Sequence, residues 1–325
     1  LQRLSLNNIS SAIRSAEDVE SLKDCASNIR KFARNLLGQG VQARQLTALI
    51  SHLNDVLTAQ LIRIFTKRHD LSLDHFAWIS LGSEGRSEQT IATDQDNALI
   101  LLDSEIAHKA RYLAFAKDVN HALDACGYPL CKGNIMASNP ELCISQHEWL
   151  ERFARWIEQG SPQDLLNASI FFDFRALAGN ESLLEPLRAY VVKHAEATPR
   201  FIKLLVENSL QWKVPFNWLG GLETKELDGQ QIIDIKLQGT AIVVDCARIY
   251  SLANGVAAVN TRERLAAIGR ALNLHESESD AWIAAFEYLQ TLRLAAQIDG
   301  HVIGGNPNAV AVEGLNSVDK TILRE

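Results

Sequence analysis

Residues 75–102 read H-F-A-W-I-S-L-G-S-E-G-R-S-E-Q-T-I-A-T-D-Q-D-N-A-L-I-L-L, two compact apolar runs separated by a polar, glycine-containing stretch from Gly82 to Asp96. His75 to Leu81 is short, apolar and aromatic, and Asn97 to Leu102 is bounded by polar residues, so both predict strands buried on at least one face. Alternate side chains of an extended segment share a face, which sets Asp94 and Asp96 side by side at the head of the second strand. Two carboxylates so placed repel each other unless a cation sits between them. Hard oxygen ligands at this spacing suit Mg²⁺ (or Mn²⁺), and Mg²⁺ keeps several waters and completes its shell with substrate phosphate oxygens.

Gly82-Ser83 follows the first strand directly. A residue without a β-carbon lets the backbone approach a ligand, so that amide N–H groups and a small hydroxyl meet phosphate oxygens. Gly85 loosens the same turn. Arg86 either contacts phosphate or pairs with Glu84, Glu88 or one of the aspartates. Each piece alone is common in sequences. A strand, Gly-Ser, Gly-Arg and then Thr-Asp-x-Asp opening another strand form a specific combination, which points to metal-assisted nucleotidyl transfer with an NTP as substrate.

Outward from this segment the pattern becomes helical. Val19, Leu22, Ala26, Ile29, Ala33 and Leu36 recur at spacings of three and four, with Ser15 and Asp18 as a capping box and Gly38 as a stop. A longer helix follows through Leu46 to Ile64, and the two predict an antiparallel hairpin. Beyond Asp103 a helix spans Glu105 to Cys126, and Gly127-Tyr128-Pro129 turns into a third strand over Leu130 to Met136. Ser161-Pro162-Gln163-Asp164 starts a helix running to about Ala178. Later helices are expected over Leu183–Ala195, Phe201–Lys213, Ile232–Leu252, Thr261–Leu272 and Ser279–Ile298, which make the second half a bundle.

The 325 residues, 47% hydrophobic and 22% charged, suit a globular chain of about two domains. Opening on Leu1 rather than Met, the chain reads as a fragment of a longer polypeptide. No apolar run reaches the roughly 20 residues of a membrane-spanning helix, so a cytoplasmic protein without a membrane partner is expected. A net charge of -7, without a dense basic stripe, disfavours a long nucleic acid. The five cysteines include no C-x-x-C pair and read as reduced core thiols. The histidines offer no H-E-x-x-H arrangement and no G-x-S-x-G elbow occurs, so zinc and serine hydrolases find no support.

The pattern G-S-x-G-R-x-E-x-x-x-x-T-D-x-D-x-A-L resembles the signature of the DUF294 family of nucleotidyltransferases, met here by Gly82, Ser83, Gly85, Arg86, Glu88, Thr93, Asp94, Asp96, Ala98 and Leu99. The stretch I-F-F-D-F-R-A-L-A-G from Ile170 to Gly179, and the later D-C-A-R-I-Y and N-T-R-E-R-L, also look like this family. It is similar to the protein-PII uridylyltransferases within the DNA polymerase β-like superfamily. The resemblance implies an α+β fold: a polymerase-β-like core with a small mixed sheet at 71–178, an N-terminal helical region at 1–70, and a C-terminal helical substrate-binding domain at 179–325. It implies NMP transfer to an acceptor hydroxyl, with a protein acceptor and a signalling role by analogy. Cyclic-nucleotide-binding and CBS modules can precede such a core.

On this reading Asp94 and Asp96 hold the metal, while Gly82, Ser83, Gly85, Arg86 and Thr93 hold the nucleotide. Polymerase-β-like enzymes usually carry a third carboxylate on a neighbouring strand, but Leu130 to Met136 contains no acid. Asp173 is the nearest candidate, with an internal ion pair to Arg175 as the competing structural role. Lys132 and Asn134 would face the nucleotide if the third strand forms, or lie on a solvated edge. Lys236, Asp245 and Arg248 are either a phosphate-facing cluster or, the favoured reading, contain an intrahelical ion pair. Trp212, Phe216 and Trp218 are expected to pack. A nucleotide-sensing or interaction module that has lost transfer activity is the rival reading.

Overall fold

The structure is a computed structural model that describes residues 5–298 and 302–325. Three helices, α1 (Leu6–Ser15), α2 (Val19–Gly38) and α3 (Ala43–Arg68), open it. The expected hairpin is therefore preceded by an extra helix, because Asp18, whose carboxylate accepts from the Ser21 N–H, caps α2 alone and Ser5 caps α1. Strand β1 (Phe76–Ser80), the single turn α4 (Gly82–Gly85), β2 (Asn97–Leu101) and α5 (Lys109–Ala125) follow. Then come β3 (Cys143–Ser145), α6 (Gln146–Gln159), α7 (Pro162–Phe171) and β4 (Arg175–Gly179).

These strands form one mixed sheet in the order β3-β2-β1-β4. β1 pairs antiparallel with β2, Ser80 opposite Asn97, and antiparallel with β4, while β2 runs parallel to β3 with Leu99 opposite Cys143. Every residue of β1 and β2 is buried, which explains runs that are apolar throughout rather than alternating. One face, carrying Phe76, Trp78, Leu99 and Leu101, packs on α1, α2, α3 and α5. The other, carrying Ala77, Ile79, Ala98 and Ile100, packs on aromatic residues of α6 and α7.

Two expectations fail in this half. Leu130 to Met136 is not a strand: Asn134 turns back with φ +55 and its N–H bonds the Cys131 carbonyl, and β3, beginning at Cys143, occupies the position beside β2. The helix begun at Ser161 stops at Phe171 rather than Ala178. The segment after it supplies β4, because Gly179, with φ +90, lies so close to β1 that a β-carbon would fall 2.2 Å from the Phe76 carbonyl oxygen.

The second half contains α8 (Glu185–Glu196), α9 (Pro199–Ser209), β5 (Lys225–Leu227), β6 (Gln230–Asp234), α10 (Ala241–Ala253), α11 (Thr261–Ala271), α12 (Glu276–Ile298), β7 (Ala309–Ala311) and α13 (Ser317–Arg324). The expected pure bundle is corrected here by a second, antiparallel sheet in the order β5-β6-β7. The helix anticipated over Ile232–Leu252 is three things: the end of β6, a π-helical turn at Lys236–Thr240, and α10. Ile232 and Ile233 are β-branched and buried in the sheet, and the Asp234 carboxylate accepts from the Lys236 and Leu237 N–H groups as the chain turns. No helix among the described residues is long and apolar enough to cross a membrane.

Candidate active site

The polar segment between β1 and β2 wraps the open end of the sheet, and the second half closes over it. Gly82 adopts φ +56, and a β-carbon there would fall 2.9 Å from Asp96 Oδ2. A glycine is thus required both by backbone conformation and by the approach of this carboxylate. Gly85 is tighter still, with a β-carbon falling 2.0 Å from the Asp173 carbonyl oxygen. Gly82, Ser83, Arg86 and Asp96 line a cleft of about 740 Å³. Its other side comes from the second half of the chain: Trp212 after α9, Lys236 on the π-turn, Asp245 and Arg248 on α10, and Gln290 and Arg293 on α12.

The paired aspartates are held by what lies between them. Gln95 points inward, and its amide donates to the Asn120 and Tyr128 carbonyls at 2.8 and 2.9 Å. Asn120 in turn donates to Gln95 Oε1 and Asn97 Oδ1, both at 2.9 Å, and accepts the Ser138 N–H. With Gln95 facing the core in an extended segment, Asp94 and Asp96 face away from it. Asp96 lines the cleft and Asp94 is exposed. Burial pushes the Asp96 carboxyl up to about 6, against a hydrogen bond from Cys131 and the Lys236 charge, while Asp94 adds to the rise. A carboxylate in this state gains from a cation, and the Gly82 cradle leaves its oxygen uncovered. Two carboxylates are on offer to a hard cation here, and among the described residues no group of three or more His, Cys, Asp or Glu side chains comes together as a metal site.

The sequence places Asp173 beside Arg175, but the two part company. Arg175 lies on β4 and pairs with Asp55 at 2.9 Å. Asp173, fully buried, instead receives Arg86 at 2.9 Å, Arg248 at 2.7 Å and Arg264 at 2.8 Å. Burial alone would raise its pKa, yet Arg248, Arg264 and Arg86 together hold it well below the usual carboxylate range. Both of its oxygens are taken by guanidinium groups, so of the two roles open to Asp173 the fold adopts the structural ion pair, with Arg86, Arg248 and Arg264 in place of Arg175. Arg86 also bonds Glu88 through Nε at 3.1 Å, and the Glu88 carboxylate accepts the Thr261 N–H. Among the alternatives for Arg86, carboxylate pairing is what the fold adopts, with its guanidinium still lining the cleft.

Of the remaining expected residues, Lys132 and Asn134 are exposed on the turn that replaced the third strand and do not line the cleft. Thr93 is half-buried, its hydroxyl directed to the Asp94 carbonyl at 3.4 Å, and is likewise outside the lining. The intrahelical pair is present, Arg248 to Asp245 at 2.9 Å. The aromatic group does not pack as expected: Trp218 is 92% exposed, and Trp212 borders the cleft with Nε1 donating to Asp245. Of the five cysteines, Cys25, Cys126 and Cys143 are buried and Cys246 is exposed, and all are free thiols. Gln290 and Arg293 carried no local signal, since on α12 they sit at spacings any amphipathic helix would show.

The family model described as "Putative nucleotidyltransferase DUF294" matches residues 27–163, and that described as "Putative nucleotidyltransferase substrate binding domain" matches residues 199–325. No curated protein matches the chain.

Proposed function

The chain belongs to the DUF294 nucleotidyltransferase family, and from that premise we propose that it transfers a nucleoside monophosphate from an NTP to an acceptor hydroxyl with Mg²⁺ as cofactor. The observation that carries this reading is the meeting of Gly82, Ser83 and Asp96 on one side of a single cleft. The acceptor oxygen forms a bond to the α-phosphorus as the bond from that phosphorus to the bridging oxygen breaks. Pyrophosphate leaves, and the hydroxyl proton passes to solvent. Asp94 and Asp96 hold the metal. Mg²⁺ bound there supplies charge neutralisation to the triphosphate. The Ser83 hydroxyl and the amides of the α4 turn orient phosphate oxygens, and the Arg86 guanidinium adds a fixed positive charge. The similarity to protein-PII uridylyltransferases favours a protein side-chain hydroxyl as acceptor, in a signalling role.

Incubation with radiolabelled NTPs, Mg²⁺ and candidate acceptor proteins tests the reading. Label on protein that disappears in Asp94→Ala/Asp96→Ala supports it; label that survives shows that the metal residues are misassigned. A second reading, a nucleotide sensor without transfer, draws support from the other two carboxylates of the cleft. Glu88 is committed to Arg86 and Thr261, and Asp245 to Arg248 and Trp212. Tight NTP binding without pyrophosphate release would select it.

A further inference from the structure

Two cations of the second half face the metal side of the cleft without an ion-pair partner among the described residues. Arg293 is only 8% exposed, yet its one side-chain bond is from Nε to the Asn308 amide oxygen at 2.7 Å, which leaves the Nη groups at the cleft. Burial and the nearby Arg86 charge lower its pKa to about 10. Lys236, reachable by solvent through the cleft, stands on the π-helical turn. Its ammonium is close enough to Arg293 for the two to repel and close enough to Asp96 and Asp94 to feel both. Gln290, 3% exposed and one helical turn before Arg293, lines the same cleft; its Oε1 has no partner among the described residues and calls for a donor rather than an anion.

A buried guanidinium without a carboxylate is costly unless an anion completes it. The other buried arginines among the described residues, Arg248 and Arg264, are paired to Asp173. The π-turn is itself informative, since such turns displace a side chain from ordinary helical register and recur at functional sites. The carboxylates opposite make a lone monovalent anion a poor occupant. An elongated polyanion fits better, with one end at the metal residues and the other at Lys236 and Arg293.

We infer that Lys236 and Arg293 form a polyphosphate clamp, taking the β and γ phosphates of the nucleotide and the pyrophosphate product, so that the triphosphate bridges the two halves of the chain. The inference rests on the transfer reading for the identity of the ligand, but the clamp is testable without it. Arg293 offers a planar fork for two phosphate oxygens and Lys236 a mobile point charge.

The experiment is calorimetric titration of the whole chain with inorganic tripolyphosphate, in EDTA and then with Mg²⁺, alongside pyrophosphate release from NTP. Tripolyphosphate should bind without metal, weakening as salt rises. Lys236→Met, a change at a solvent-reachable side chain, should weaken it about tenfold, the scale of one charge-assisted contact. Lys236→Arg should restore most of the affinity, and Arg293→Lys should weaken binding while the melting temperature stays within a few degrees of the parent. Unchanged tripolyphosphate affinity in Lys236→Met, or no binding by the parent chain, overturns the clamp even if NMP transfer is observed. Lys236-dependent binding without pyrophosphate release upholds the clamp and removes the transfer reading alone.

Discussion

Asp173 accepts Arg248 Nη2 at 2.7 Å with neither side chain more than 6% exposed, a buried ion pair between the end of the α7 segment and α10. Arg264 and Arg86 converge on the same carboxylate, so one negative charge holds three positive ones from separate parts of the chain. Removing a single partner of such a cluster leaves the others desolvated and uncompensated. Asp173→Asn should lower stability by about 3–5 kcal/mol, read as a drop in urea midpoint. A variant as stable as the parent would show that the arginines are neutralised elsewhere. With its pKa held low in the folded state, Asp173 contributes fully above its ordinary value and loses that contribution only as pH falls through the depressed one. The parent should therefore gain less over the variant as acid is added.

Glu84 predicts the opposite pH dependence. Burial first, and the Asp55 charge second, push its carboxyl up to about 8. A carboxyl raised in this way holds its proton more tightly folded than unfolded. Its stabilising neutral form is intact below the ordinary value and lost as pH rises through about 8. Thermal unfolding across this range should show the parent's melting temperature declining and that of Glu84→Gln staying level, so that the two curves diverge toward alkaline pH. Parallel curves would mean that Glu84 ionises freely in the folded chain.

Gly85 and Gly38 form a matched pair. A β-carbon at Gly85 would sit 2.0 Å from the Asp173 carbonyl oxygen and 2.8 Å from that of Ser80, both backbone atoms, whereas one at Gly38 meets nothing within 4 Å. Gly85→Ala should cost about 3 kcal/mol or more and open the cleft, since neither neighbour can swing away. Gly38→Ala, near the end of α2, should be neutral or stabilising by up to about 1 kcal/mol. Denaturant titration of the two variants checks both signs.

Asn120→Ala removes the amide that holds Gln95 and Asn97 and leaves the Ser138 N–H without its acceptor. A loss of about 1–3 kcal/mol is expected from the orphaned partners. Because Gln95 lies between Asp94 and Asp96, which the proposed reaction uses to hold the metal, the transfer rate should fall more than the affinity for NTP. An unaltered rate in a destabilised variant would show that the aspartates do not depend on this network.

That Gly82, Ser83 and Asp96 come together at one cleft was legible in the sequence. Gly82, Ser83 and Asp96 are separated by one loop, and strand alternation alone sets Asp96 outward. The third strand was misplaced because Leu130 to Met136 and Cys143 to Ser145 are both short and apolar, and only the long-range pairing to β2 separates them. β4 was hidden inside an apparent helix because Arg175 to Gly179, a half-buried edge strand, shows no polar–apolar alternation. Asp173's partners lay 75 and more residues away, beyond any local pattern. Lys236 looked helical because a π-turn and an α-helix share nearly the same local composition. Arg293 and Gln290 needed the closure of the second half over the first before their role had any meaning.

That closure also sets when the protein becomes competent as it is made. A ribosome that has released the chain through Gly179 has emitted the whole four-stranded sheet, yet Arg248, Arg264 and Arg293 are still to come. At about 5–20 residues per second, the 114 residues from Gly179 to Arg293 take roughly 6–23 s. During that interval the nascent sheet exposes the apolar surface that Ile249 and Leu252 later cover, and of its three eventual counter-charges Asp173 has only Arg86 within the emitted chain. Asp94 and Asp96 are made well before Lys236 and Arg293, so a partly made chain gathers negative charge at this end before the opposing cations exist. On the proposed clamp, nucleotide capture waits until Lys236 and Arg293 have both been made, and a product terminated before Lys236 should bind tripolyphosphate more weakly than the parent.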